Sequence, residues 1–138
     1  MGDRRLSREL ALQALFFFDV NKSDPAKGLE EFCELREDEL TDMIKPFFLA
    51  IVEGVLGAGD EIDGLINQSS KNWKLTRMPA VDRNIMRIAI FELLKCKDIP
   101  PSVTINEAVD IGKKFGTRDS GAFINGVLDR IRLQEGFE

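Results

Sequence analysis

Histidine and tyrosine are absent from this chain of 138 residues. Without imidazole there is no Ser-His or Cys-His nucleophile pair, no imidazole general base and no His-containing zinc site. Cysteine is scarce: Cys33 and Cys96 are too few for a four-thiolate metal site or a disulfide framework, and their apolar settings predict two buried thiols in a reducing compartment. Long hydrophobic runs are missing too. The longest, Phe47 to Val52, falls far short of the ~20 residues of a membrane span, and the amino end carries no signal-peptide core. A cytoplasmic protein without membrane contact is expected. The short G-x-x-x-S arrangement at 116–120 is not a P-loop, since no G-K-[ST] is present. No cofactor or metal site is predicted.

What is present is apolar enough to fold: 43% hydrophobic against 31% charged residues excludes a disordered chain, and the length suits one domain. The net charge of -5 hides an uneven distribution. Between Ser23 and Asp63 lie twelve acidic residues against Lys27, Arg36 and Lys45, so the remainder of the chain is net positive. Its cations gather at Arg4, Arg5 and Arg8, and again at Lys113, Lys114 and Arg118.

Apolar residues recur at helical spacing throughout, and no alternating stretch argues for a sheet, so the fold class is all-α with six to seven helices. The pattern predicts helices over 4–19, 26–35, 45–56, from Asp60 as N-cap to Ser69 or Trp73, over 81–95 and 104–115, and from Ser120 or Asp119 onward. Thr104 with Glu107 reads as a capping box, and Gly116 as a left-handed stop. The helix over 81–95 is apolar on two sides and should be central.

On the first helix Arg5, Arg8, Leu12 and Phe16 share a face outside the main apolar arc. That face is either a binding surface, with guanidinium groups on phosphates and an exposed ring, or a helix contact in which the arginines form salt bridges such as Arg5 with Glu9. The Lys113–Ser120 junction is either an anion site at a helix N-terminus or an ordinary lysine-decorated helix end.

Three segments carry a resemblance across nearly the whole chain: Arg4-Arg5 with Arg8-Glu9 and Ala11–Phe16 (ALQALF); Asp82–Ala89 running to Glu92-Leu93; and Val103–Ala108 (VTINEA) through Lys114-Phe115-Gly116 to Ser120 and Phe123–Asp129 (FINGVLD). The chain so resembles the bacterial transcription antitermination factor NusB family. The resemblance implies two packed three-helix bundles, divided here at about residues 1–76 and 77–138 of a single RNA-binding domain, and no enzymatic activity. It implies binding of boxA-type RNA in ribosomal RNA leader transcripts together with NusE, a small-subunit ribosomal protein, in the elongation complex with RNA polymerase. Carried over by position, it assigns RNA contacts to Arg4, Arg5 and Arg8 and to Lys114, Arg118, Asp119 and Ser120, and protein-partner contacts to Phe16 and Asp82. Leu6 and Ser7 interrupt the arginine segment, and Phe16 lacks the hydroxyl of the tyrosine often found in relatives. A basic strip formed by both clusters would neutralise ~3 to 5 phosphates, for a log-log salt slope of roughly −2 to −4. The rival readings are a protein-interaction module without RNA, a homodimer through the Phe16 surface, and a small carboxylate enzyme.

Overall fold

A computed structural model describes residues 2–22, 24–70 and 73–138, and among them every regular element is helical. The order is α1 (Asp3–Asn21), α2 (Pro25–Leu35), α3 (Lys45–Gly57), α4 (Gly59–Ser69), a short 3-10 turn (Leu75–Arg77), α5 (Ala80–Lys95), α6 (Pro101–Phe115) and α7 (Ser120–Glu135). Ser23, within the stop expected after the first helix, and Lys71 and Asn72, within the longer alternative for α4, lie outside the described residues.

Local chemistry accounts for most boundaries. Asp24 caps α2 by accepting from the Ala26 N–H at 3.3 Å, with Pro25 in the first turn. Gly136, at φ 71°, supplies the left-handed residue that closes α7. Several expected signals are used differently. α6 starts at Pro101, a turn earlier than the spacing predicts, because a proline in the first turn forfeits no helical N–H. Thr104 is therefore interior and buried, and Glu107 faces α1 instead of closing a capping box. Asp60 sits inside the first turn of α4, where its charge suits the helix dipole, and does not cap it. Gly116 is extended, at φ −95°, not left-handed. Its need is space: a Cβ there would press on the Ser120 side chain and stand 2.8 Å from the Gly112 carbonyl oxygen.

Two helices share the centre. α5 packs against α1, α3, α4, α6 and α7, as its two apolar sides predict, and α1 lies against α3 and α5 with α2 at its far end. One continuous core joins them, including Phe48, Ile51, Ile62, Ile66, Met86, Ile90, Ile124, Leu128 and Ile131, each large side chain contributing about 1.5–3 kcal/mol. α4 packs on α5 and α7 as well as α3, tying the two halves of the sequence together. The acidic segment runs through α2, the turns before α3, α3 itself and the start of α4. Cys33 and Cys96 are free and only half-buried, not buried as expected. No described helix is long and apolar enough to cross a membrane.

Candidate nucleic-acid interface

The amino-terminal half of α1 lies beside one stripe of α6. Glu107, Asp110 and Lys114 recur at helical spacing and meet Arg5 and Glu9 in the same order. Arg5 donates from Nε to Glu107 Oε1 at 2.6 Å and from an η nitrogen to Glu107 Oε2 at 2.9 Å, with a third bond to Asp110 Oδ2 at 3.1 Å. This fork holds the Glu107 carboxyl below its ordinary range and raises the Arg5 guanidinium further above its own. Lys114 Nζ reaches Glu9 Oε1 at 3.0 Å. On the 1.5 Å rise of a helix, Arg5 and Lys114 are therefore roughly 10 Å apart along α6.

Arg8 is a correction to the sequence reading. Its residue surface is only 4% exposed, and its guanidinium is forked onto Glu92 at 2.9 and 2.7 Å, with Glu107 at 3.2 Å. Thr104 adds a 3.5 Å bond from its hydroxyl to Glu92. Arg8 is an internal strut joining α1 to α5 and α6, and Leu12 one turn on is buried as well. The salt-bridge alternative thus describes Arg5 and Arg8, although the partners are Glu107, Asp110 and Glu92 in place of Glu9. Arg4 remains exposed; its guanidinium lies 4.6 Å from the centre of the Phe47 ring and 3.8 Å from Asp98.

The α6–α7 junction divides in the same way. Lys113, Lys114, Arg118 and Asp119 are exposed, whereas Ser120 is 1% exposed. The Ser120 hydroxyl accepts from the Thr117 N–H at 2.9 Å and donates to Asp82 Oδ1 at 2.7 Å. Asp82 is itself buried, and burial raises its pKa, an effect the Ser120 bond partly offsets. Both side chains are turned inward in the free chain, and together they fix the junction to the start of α5. No side chain caps α7; the Ser120 N–H that opens it is taken by the Thr117 carbonyl oxygen at 3.1 Å.

Phe16 lies at 37% exposure on the rim of a groove of about 540 Å³. Phe17, Phe32, Leu35, Val81 and Phe115 complete its apolar walls, so four helices, α1, α2, α5 and α6, converge there. Lys114 Nζ stands 5.2 Å from the Phe115 ring, which makes the cationic junction continuous with the groove. Val81, Leu35 and Phe115 escaped sequence reasoning because each ends a different helix. The carboxylates that neutralise Arg5 and Arg8 escaped it for a related reason: they are 84 to 105 residues away. Among the described residues no group of three or more His, Cys, Asp and Glu is placed to hold a metal ion.

The NusB family model matches residues 5–132. A transcription antitermination protein NusB from Desulforapulum autotrophicum is 62% identical over 138 residues, spanning 100% of this chain and 96% of that protein. Its counterpart in Desulfatibacillum aliphaticivorans is 54% identical, with 100% and 95% covered. The crystal structure of T. maritima NusB superposes with a TM-score of 0.86 at 38% identity, covering 95% of this chain and 91% of that one. A chain of the crystal structure of antitermination factors NusB and NusE in complex with dsRNA gives 0.83 at 26% identity, with 96% and 97% covered.

Proposed function

We propose, because this chain belongs to the NusB family, that it binds boxA-type single-stranded leader RNA jointly with NusE and so promotes read-through of ribosomal RNA operons by RNA polymerase in the cytoplasm. The observation that carries the reading is the 62% identity, end to end, with a transcription antitermination protein. The geometry supports it with altered roles. Arg4, Lys114 and Arg118 offer exposed charge to phosphates, Arg5 offers the outward edge of its guanidinium, and Asp119 offers a carboxylate to base edges. Arg8, Ser120 and Asp82 hold the helices that carry them. The groove at Phe16 receives NusE beside the RNA, so that the two partners share one edge of the molecule.

Three to four phosphates give a salt slope of about −2 to −3 for the chain alone, at ~0.7 per phosphate on a single strand. Such modest affinity makes a second RNA-contacting protein necessary for selection. Mobility-shift titration of a boxA-like RNA against a scrambled control, with and without NusE, tests the reading. Preference for the boxA-like strand that sharpens with NusE is expected; equal affinity for both RNAs with NusE present overturns sequence-specific binding. The carboxylates on Arg5 and Arg8 favour a second reading, a protein-interaction module working through the groove alone. Under it, Lys114→Ala with Arg118→Ala leaves every binding partner unaffected.

A further inference from the structure

Each basic side chain along α1 and α6 that the structure pairs is paired within the chain: Arg4 with Asp98, Arg5 with Glu107 and Asp110, Arg8 with Glu92 and Glu107, Lys114 with Glu9. Most of these carboxylates have an evident structural task. Glu92 and Glu9 are buried, and Glu107 holds Arg5 through both oxygens and Arg8 through one. Asp110 does not share that task. Its side chain is 53% exposed, it sits mid-helix where no end needs capping, and it adds a third bond to a guanidinium already forked onto Glu107. An ion pair so exposed contributes little to stability.

What Asp110 does occupy, from its own exposed position on α6, is the Arg5 η nitrogen that Glu107 also holds. A phosphate approaching that nitrogen finds it already bonded at 3.1 Å and a like charge within a few ångströms. We propose that Asp110 is a built-in competitor for RNA phosphate at Arg5 and sets how weakly the chain holds RNA by itself. The proposal rests on the RNA-binding reading above. Phosphate contacts carry no base sequence, so the competitor weakens every RNA alike and leaves discrimination to base contacts and to the protein partner. Glu107 cannot act in this way, since releasing it also uncouples α1 from α6.

The test is Asp110→Asn, which keeps the shape and removes the charge. Anisotropy titrations of a boxA-like and a scrambled oligonucleotide should tighten by about three- to tenfold for both, with a salt slope steeper by ~0.7 from one added phosphate. In an Arg5→Ala background the same substitution should change affinity less than about 1.5-fold. The slope of the single variant reads the effect without the second substitution. Wild-type binding to RNA that Asp110→Asn leaves unaltered overturns the competitor alone, as does an equal gain with and without Arg5, which marks a diffuse field. No RNA binding by either protein overturns the competitor and the RNA-binding reading together.

Discussion

The Ser120 hydroxyl donates to Asp82 Oδ1 at 2.7 Å while accepting from the Thr117 N–H at 2.9 Å, so one side chain fastens the α6–α7 junction to the first turn of α5. Ser120→Ala removes both bonds and leaves a buried carboxylate without that donor. A loss of about 2 kcal/mol is expected, read as a lower urea midpoint with an unchanged m-value. Since Lys114 and Arg118 ride on this junction, RNA affinity should fall with little change in salt slope. Wild-type stability in the alanine variant would show that Asp82 finds another donor.

Arg8 and Glu92 supply a sharper test of the difference between contact and strut. Glu92→Ala leaves the Arg8 guanidinium buried without its main partner, at a cost of about 3–5 kcal/mol. Replacing both, Arg8→Met with Glu92→Leu, should cost less than the single change, because neither charge is then stranded. Arg8→Met should leave the salt slope unaltered. A slope shallower by ~0.7 would return Arg8 to the RNA surface.

These residues also mark the limit of what the sequence conveys. The helices were legible because helical periodicity acts within a few residues, and α5 announced its central position by being apolar on two sides. Arg8 and Leu12 read as outward-facing from the sequence because an arginine inside a helical protein makes sense only with its acid, and Glu92 is 84 residues away. The cationic clusters were visible, but their neutralisation was not. The same separation hid the groove: Phe16 was evident, while Val81 and Phe115 reach it only after α5 and α6 have packed.

Acid should weaken the fold through Glu107 and Asp19. Glu107 is held below its ordinary value of 4.5 by the Arg5 hydrogen bonds, against some opposing burial. Asp19 is pushed up by burial but pulled further down by hydrogen bonds from Arg83 and Asn84 and by the charges of Arg83 and Arg87. For a depressed carboxyl, the stabilisation is complete above the unfolded-state value and disappears as pH falls through the folded one. Asp82, raised by burial, has the opposite sign: its contribution is complete below its unfolded value and is lost on going up in pH. Glu107→Gln should therefore be less stable than wild type at pH 6 and converge on it towards pH 3. Urea melts across that range check this; parallel curves at all pH values would remove the Arg5–Glu107 pair from the account.

Phe16 separates the two partners proposed for this edge. Its ring is already partly in water, so Phe16→Ala should alter global stability by no more than about 1 kcal/mol. The groove, however, loses a wall contributed by its central helix, and truncating an aromatic anchor in an apolar pocket commonly weakens a protein complex tenfold or more. Titration calorimetry with NusE should show that loss. RNA titration in the absence of NusE should show neither a weaker constant nor a different salt slope, because the ring carries no charge and stands beyond Lys114. If RNA affinity falls by the same factor as NusE affinity, the ring stacks on a base, and the groove belongs to the RNA path and not to the protein partner.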